Sequence, residues 1–251
     1  MKFAVITPYY SESTDQLSQC HDSVAAQSVA RQVEIEHFLV CDGHPQANGS
    51  SISGVRHLVL PCNSADAGAT PRGIGMALAW TNPEIEAVLF LDADNTYQPE
   101  HIEQMWQEQR RTGADVVTCP RRLFRPDGSF LGICTESDGD TFNDTNCYLI
   151  MRSAWPTICH AWLCQPRNLG LWSDRLVWDA AKSGGLNFAR SPHATINYVS
   201  LVASHYTERG EEPPQQARNV ILMGDTAIHM NQAEVREFFG DSSTQANGKE
   251  A

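Results

Sequence analysis

The most constraining feature of this sequence is an apolar segment, residues 87–91, that is followed by the carboxylates Asp92 and Asp94. Its length and composition are typical of a buried β-strand. Because residues i and i+2 of an extended segment point to the same side, the two carboxylates are expected to converge. Two like charges this close raise the pKa of one of them unless a cation lies between. The segment alone therefore leaves two interpretations equally open, a metal site and a solvated strand end.

A second Asp-x-Asp, Asp138-Gly139-Asp140, lies in a polar run and predicts an ordinary loop. The first pair carries more weight because ligands of open α/β sheets bind beyond the carboxyl ends of the strands. Carboxylate oxygens suit Mg²⁺ or Mn²⁺, ions that keep several waters and share their site with substrate phosphates. A metal cofactor held by Asp92 and Asp94 is therefore expected to be Mn²⁺ or Mg²⁺.

Strands and helices alternate over the first 120 residues. Apolar periodicity and helix caps predict strands at 3–10, 36–41, 55–60, 87–91 and 114–119, and helices at 14–27, 73–80 and 99–111. Alternation of this kind gives βαβ units and a mainly parallel, twisted sheet flanked by helices. The predicted fold class is therefore α/β.

The regularity fades after residue 120. The pattern predicts loops or a hairpin around Pro126-Asp127-Gly128, a strand at 146–152, a helix at 174–182 capped by Ser173, and a capped helix at 231–239. Four of the six tryptophans fall between 155 and 178, where core packing is favoured over a sugar-stacking surface. We interpret 1–240 as one domain, followed by a disordered tail at 241–251.

Composition excludes several classes of protein. A net charge of -12 argues against nucleic acid as a partner, because phosphate binding needs a basic surface. The eight cysteines form no Cys-x-x-Cys pair, which predicts reduced residues that lie mostly in the core. No segment approaches the roughly 18 apolar residues of a transmembrane span or the pattern of a signal peptide. We therefore expect a cytoplasmic protein, with peripheral membrane association left open.

Five motifs occur in a fixed order along the chain: Pro8-Tyr9-Tyr10-Ser11-Glu12, Val40-Cys41-Asp42-Gly43, Gly68 to Gly75, Leu91-Asp92-Ala93-Asp94 and Trp172-Ser173-Asp174. Together they resemble the family 2-like glycosyltransferases of the GT-A fold, over about residues 1–205. The resemblance implies a Rossmann-like sheet with a nucleotide-sugar-binding half, 1–120. It also implies a smaller, irregular acceptor-binding lobe, 121–240.

The resemblance implies which residues surround the nucleotide: Pro8, Tyr10, Glu12, Asp42, Arg72 and Asp92. In this set Asp42 accepts a hydrogen bond from a uracil imide, and Arg72 lies beside the nucleotide or its diphosphate. Pro71-Arg72-Gly73 departs from the family's usual Ala-Arg-Asn, so a contact made by that Asn is not expected here. The residues alone also allow a plain turn at Asp42-Gly43.

The resemblance likewise implies the metal ligands and the catalytic base. Asp92 and Asp94 hold the ion, with Asp94 the closer ligand, and His205 completes the site; a surface or core histidine is the alternative. Asp174 matches the general base of inverting enzymes, although Ser173 replaces the first acid of the family's pair. Without the resemblance, Asp174 would instead complement a helix dipole.

The implied function is the metal-dependent transfer of a sugar, with inversion, from a nucleotide-diphosphate donor, most simply a UDP-sugar. The acceptor is a glycan or lipid-linked hydroxyl, as in polysaccharide biosynthesis. One alternative is a sugar-1-phosphate nucleotidyltransferase, which needs a glycine-rich, basic loop after the first strand, whereas Thr7 to Glu12 has neither glycine nor a basic residue. The other is an inactive glycan-binding protein of the same fold, which the intact Asp92, Asp94 and Asp174 disfavour.

Overall fold

The computed structural model of the protein describes residues 1–44 and 48–239, so the tail predicted at 241–251 lies outside the described residues. Within them the chain forms thirteen strands: β1 (Lys2–Tyr9), β2 (Glu34–Cys41), β3 (Val55–Val59), β4 (Ile85–Phe90), β5 (Thr96–Tyr97), β6 (Val116–Thr118), β7 (Arg121–Phe124), β8 (Phe130–Ile133), β9 (Tyr148–Met151), β10 (Phe188–Arg190), β11 (Ile196–Val199), β12 (Arg218–Met223) and β13 (Thr226–Asn231). Its seven α-helices are α1 (Thr14–Ala25), α2 (Ala69–Trp80), α3 (His101–Thr112), α4 (Trp155–Cys164), α5 (Ser173–Ser183), α6 (Ser204–Thr207) and α7 (Gln232–Phe239).

Seven strands form the central sheet, in the order β10-β6-β9-β4-β1-β2-β3. All neighbouring pairs in it are parallel except those of β9, which runs antiparallel to both β4 and β6. The predicted α/β class with a mainly parallel sheet is confirmed. Since β4, β1 and β2 are parallel neighbours, their carboxyl ends meet at one edge of the sheet.

The sheet is buried on both faces, as parallel sheets usually are. Helices α2, α4 and α5 cover one face and α1 and α3 the other, and each face has its own apolar core. Trp155, Trp162 and Trp178 lie in the first core, each about 1% exposed. Core packing, the favoured interpretation of the tryptophan cluster, is therefore confirmed for these three.

Helix α2 begins at Ala69, four residues earlier than the predicted start at Gly73. Its cap residue Gly68 has φ 83°, a left-handed conformation that glycine adopts without strain. The proline of the motif falls in the first turn, where it removes no helical hydrogen bond. Asp66 Oδ2 accepts from the backbone N–H of Thr70 at 3.0 Å and so satisfies a free donor of that turn. Arg72 consequently lies on the helix and not in the preceding loop.

Helix α2 also packs very closely on the sheet. A Cβ added at Gly75 would lie 2.7 Å from Ile6 Cγ2 of β1, and one added at Gly73 would lie 2.6 Å from Leu163 Cδ2 of α4. Contacts that short do not occur between real side chains. The two glycines therefore set how near α2 approaches β1 and α4.

A smaller sheet has the order β5-β11-β7-β8, in which β5 comes from the first half of the chain and the other three strands from the second half. Strands β7 and β8 are the hairpin predicted around Pro126-Asp127-Gly128. The predicted helix near the C-terminus is α7, and Asn231 Oδ1 caps it by accepting from the N–H groups of Ala233 and Glu234 at 2.9 and 3.0 Å. Strands β12 and β13 form a separate antiparallel hairpin.

Ser173 does not cap helix α5, contrary to the prediction. The helix already includes Ser173, and its hydroxyl donates back to the carbonyl of Gly170 in the preceding 3₁₀ turn.

Five of the eight cysteines are buried and all eight are free thiols, which confirms the prediction of reduced residues lying mostly in the core. In the part of the chain that the structure describes, no helix combines the length and apolarity needed to cross a membrane.

Candidate active site

The candidate site lies at the carboxyl ends of the neighbouring strands β1, β2 and β4. Asp42 follows β2 directly, and Asp92 follows β4 after one residue. Pro8 is buried within β1, whereas Tyr10, just after it, is 40% exposed and packs edge-on against His44 at 4.8 Å between ring centroids. The sheet thus brings the three sequence-predicted segments to one edge.

Glu12 and Asp42 are held by local hydrogen bonds. Glu12 Oε2 accepts from the N–H of Tyr10 at 2.7 Å, which closes the turn after β1. Asp42 is 6% exposed, and its Oδ1 accepts from both the N–H and the hydroxyl of Ser64, at 3.0 and 2.5 Å. The Asp42 carboxylate is therefore fixed in place by the loop that leads into α2.

Asp92 is bound from two sides. Arg72 Nη2 donates to Asp92 Oδ1, and Asn146 Nδ2 donates to Asp92 Oδ2 at 2.9 Å. The Asp92 backbone N–H donates in turn to Asn146 Oδ1 at 2.6 Å. A charged hydrogen bond to each oxygen and a third bond to the backbone leave this carboxylate little freedom of orientation.

Arg72 is only 7% exposed and owes its orientation to its surroundings. Its Nη1 donates to the carbonyl of Ala67 at 2.9 Å, and its guanidinium lies 5.3 Å from the centroid of the Trp162 ring. A Cβ at Gly68 would approach Nη1 to 2.9 Å. The left-handed glycine before α2 therefore also provides the space that this guanidinium occupies.

Asp94 differs from Asp92, since it is exposed and has no ion pair among the described residues. Although part of the Asp94 side chain reaches solvent, the protein packed around its carboxylate partly desolvates it, and this desolvation, together with the charge of Asp92, raises the pKa of Asp94 to about 7. A cation would relieve this excess of negative charge. Two carboxylates are also a sufficient protein donor set for Mg²⁺ or Mn²⁺, which keep several of their waters. The residues present thus fit such an ion, with Asp94 as the free ligand.

Asp174 lies in the first turn of α5. Its Oδ1 accepts from the N–H of Arg175 at 2.8 Å, and Arg175 Nη1 lies 3.4 Å from the same oxygen. The Arg175 guanidinium lies between the rings of Phe142 and Trp172, at 4.3 and 4.2 Å from their centroids. Burial raises the pKa of Asp174 to about 6, although the positive charge of Arg175 opposes the shift. A carboxylate with this pKa can accept a proton near neutral pH.

The sequence patterns did not identify Asn146, Arg121 or Asp144 as site residues. Asp144 Oδ2 accepts from Arg121 Nη1, and Asp144 Oδ1 accepts from Asn146 Nδ2 at 2.9 Å. Asp144 raises the pKa of Asp174, so the two carboxylates interact. The polar stretch from 143 to 146, shortly before strand β9, is the sequence signal that could have identified this segment.

The model of the family described as glycosyl transferase family 2 matches residues 4–162, which include β1 through α4. The chain belongs to this family. The match covers Asp42, Arg72, Asp92 and Asp94, whereas Asp174 lies beyond it. The family is also consistent with the GT-A arrangement of the sheet and its flanking helices.

Solved structures of S. aureus TarS share the fold of this family 2 glycosyltransferase. The structure of TarS 1-349 in complex with UDP is 18% identical, with a TM-score of 0.58 over 83% of this chain and 63% of that one. The complex with UDP-GlcNAc is 16% identical, with a TM-score of 0.55 over 80% of this chain and 59% of that one. The chain thus spans less than two thirds of these TarS structures. No curated protein sequence matches it.

His205 is buried among polar side chains of the second half of the chain. It is 1% exposed; its Nδ1 lies 2.8 Å from Ser200 Oγ, and its Nε2 lies 3.4 Å from Glu136 Oε2. Burial opposes a charge on the ring, but hydrogen bonds to Cys134 and Glu136 raise the pKa of His205. The described residues contain no group of three or more His, Cys, Asp or Glu side chains that could hold a metal ion. Metal binding by His205 stays a prediction.

Proposed function

We propose that this protein is an inverting, divalent-metal-dependent glycosyltransferase that moves a sugar from a UDP-sugar to the hydroxyl of a glycan or lipid-linked acceptor. The observation that carries the proposal is the contrast between the carboxylates of the site. Asp92 forms an ion pair with Arg72, Asp94 has a raised pKa and no ion pair in the described part of the chain, and burial raises the pKa of Asp174 to about 6. These are the separate requirements of donor binding, metal binding and base catalysis.

On the donor side, Asp42 accepts the imide N–H of uracil, Pro8, Tyr10 and Glu12 surround the base, and Arg72 lies beside the nucleotide or its diphosphate. Support for uracil comes from the family motif and from structures of the same fold that were solved with UDP and with UDP-GlcNAc. Burial of Asp42 favours a strong hydrogen bond, since a partly desolvated carboxylate interacts strongly with a donor.

Asp92 and Asp94 would hold Mn²⁺ or Mg²⁺, which when bound neutralises charge on the departing diphosphate. The chain's own residues perform the other steps. Asp174 accepts the proton of the acceptor hydroxyl while that oxygen forms a bond to the anomeric carbon. The bond from this carbon to the diphosphate oxygen breaks on the opposite face, and the electron pair leaves with UDP. Attack from the face opposite the leaving group inverts the configuration at the anomeric carbon.

The proposed boundaries are one glycosyltransferase domain over 1–240, with the nucleotide-sugar half at 1–120 and the acceptor half at 121–240. The single domain is supported by the central sheet, in which β6 of the first half pairs with β9 and β10 of the second. Acceptor contacts are expected from the second half, because α5 and the 3₁₀ turn before it carry Asp174 and the partly exposed Trp172.

A panel of nucleotide sugars tests the proposal directly. The purified protein is incubated with each donor and with Mn²⁺, Mg²⁺ or EDTA, and released UDP or other nucleotide is quantified. We expect release from UDP-sugars only and only with metal. NMR of the transfer product is expected to show the anomeric configuration opposite to that of the donor. Retention of configuration, or pyrophosphate release from a sugar-1-phosphate and UTP, would contradict the proposal.

A further inference from the structure

A continuous row of hydrogen-bonded side chains runs from the donor edge of the central sheet into the smaller sheet. In order its members are Arg72, Asp92, Asn146, Asp144 and Arg121. The charges are arranged symmetrically along the row, with an arginine at each end, a carboxylate next to each arginine and a neutral amide in the middle. Four members are at most 7% exposed, and Asp92 is about one quarter exposed at its side chain.

Asn146 connects the two halves of the row, because its side chain bonds to both carboxylates. It is fully buried, its Nδ2 donates to Asp92 Oδ2 and to Asp144 Oδ1 at 2.9 Å each, and its Oδ1 accepts from the Asp92 N–H at 2.6 Å. An amide can donate two hydrogen bonds and accept others, which a carboxylate, a hydroxyl or an ammonium cannot do with the same geometry. Two neighbouring carboxylates that would otherwise repel each other are thereby held by one group.

The same contacts determine the direction in which Asp92 points. Asn146 fixes Asp92 Oδ2 and the backbone at once, while Arg72 takes Asp92 Oδ1. Asp144 in turn fixes Asn146, because Asp144 Oδ1 also accepts the Asn146 backbone N–H at 3.0 Å. Partners of this kind around a metal-site carboxylate set its orientation and basicity.

We propose that Asn146 is a positioning residue for the donor site: it orients the Asp92 carboxylate toward the metal and nucleotide and joins it to the Asp144–Arg121 ion pair. The inference rests on the proposed function, since it assigns Asn146 a role in binding the metal-nucleotide donor. Asn146 itself touches neither the donor nor the acceptor in this assignment and acts through Asp92.

The chain offers a matched control in Asn143. It is on the same segment and is equally buried, but its side chain donates only to the backbone carbonyls of Asp144 and Cys147, at 3.1 and 3.4 Å. Replacing either asparagine by alanine removes buried hydrogen bonds and is expected to lower the melting temperature. Of the two, Asn146→Ala alone should release Asp92.

The experiment titrates UDP by calorimetry, with Mn²⁺ and with EDTA, into wild type, Asn146→Ala and Asn143→Ala, and measures the melting temperature of each. Loss of an outer partner of a metal ligand typically weakens metal affinity roughly 10- to 100-fold. We expect a loss of that order in UDP affinity with Mn²⁺ for Asn146→Ala, and less than about twofold for Asn143→Ala. A second variant, Asn146→Ser, keeps one hydroxyl donor, should fold if Asn146→Ala does not, and should bind with intermediate affinity.

Wild-type UDP affinity in the Asn146 variants would overturn the inference, and so would equal losses in the Asn143 and Asn146 variants, because both results indicate a merely structural role. These outcomes differ from failure of the proposed function. A wild-type protein that binds UDP neither with Mn²⁺ nor without it contradicts the UDP-dependent function itself, and the inference with it.

Discussion

The two sides of the site are built by different means. On the donor side, Asp42, Asp92 and Asp94 follow the carboxyl ends of parallel strands, so the backbone of the sheet places them. On the acceptor side, Asp144 caps a 3₁₀ turn and Asp174 starts a helix after another 3₁₀ turn. There the positions depend on contacts between side chains, such as Arg175 between Phe142 and Trp172.

This difference also separates binding from chemistry. On the donor side, Asp92 pairs with Arg72 and Asp94 is available to a cation, an arrangement that favours binding of a nucleotide diphosphate. Asp174 has a pKa near 6 and lies on the other side, which favours proton transfer. We therefore expect substitutions on the donor side to change the affinity for UDP and the substitution on the acceptor side to change kcat.

The largest effect is expected from Asp174→Asn, which keeps the shape of the side chain and removes its basicity. A general base contributes roughly 10²- to 10⁴-fold to the rate, so kcat should fall by that order while UDP affinity barely changes. Steady-state kinetics and calorimetry on the same preparation measure the two quantities separately.

Asp179 provides the control for that experiment. It lies on the same helix but is exposed and pairs with Lys182 at 3.6 Å, so Asp179→Asn should retain activity. If Asp174→Asn transfers sugar at a near wild-type rate while a change at Asp138, Asp140 or Asp144 abolishes transfer, the base lies in the loop before β9 and the division fails on the acceptor side.

The second effect concerns Asp94, the carboxylate without an ion pair in the described chain. Asp94→Asn removes a metal ligand, so its cost in UDP affinity with Mn²⁺ should be at least the roughly 10- to 100-fold typical of outer-shell partners. EDTA should weaken wild-type binding to a similar degree, and Mn²⁺ or Mg²⁺ should restore it. Calorimetry that gives one UDP affinity with and without metal would remove the metal from the site.

The third effect concerns the base pocket. Asp42→Ala removes the acceptor for the uracil imide and should cost about 1.5–3 kcal/mol of UDP binding free energy, the range for a hydrogen bond to a charged group. Other nucleoside diphosphates should lose much less. Undiminished UDP binding by a variant with a normal circular dichroism spectrum would exclude Asp42 from the pocket.

The smallest effect is a shift in the pH profile. Because the base acts only when ionised, kcat should rise as the pH increases through about 6 and level off above it. Arg175 opposes the raised pKa of Asp174, so Arg175→Met should move this inflection to higher pH, by about one unit. Arg175→Lys keeps the charge and should leave it nearly in place. An inflection that is the same in both variants would assign the titration to another group.

The donor side was largely predictable from the sequence. Apolar strands followed by Asp42 and Asp92 are local signals, and parallel order brings their ends together without any knowledge of side-chain contacts. The predicted start of α2 was four residues too late, because the first turn of a helix accepts a proline such as Pro71. That error hid the helical position of Arg72.

The acceptor side was less predictable for a physical reason. The contact between Asn146 and Asp92 joins residues 54 positions apart, and no local pattern encodes it. Serine is a common helix-capping residue, but helix α5 already includes Ser173. The Ser173 hydroxyl donates instead to the carbonyl of Gly170 in the preceding 3₁₀ turn. His205 matched a family position by order along the chain, while its contacts with Ser200 and Glu136 depend on the smaller sheet.

The close packing of α2 on the sheet has a consequence for protein engineering. Since a methyl group at Gly75 would lie 2.7 Å from Ile6 Cγ2, Gly75→Ala forces the Ile6 side chain or the helix to shift, and a shift of the helix also moves Arg72, three residues away. The distance between α2 and β1 thus determines where Arg72 lies relative to Asp92. If Arg72 contributes to UDP binding as proposed, substitutions in the core beneath α2 should change UDP affinity while every residue of the site stays the same, and calorimetry on Gly75→Ala would measure the first such change.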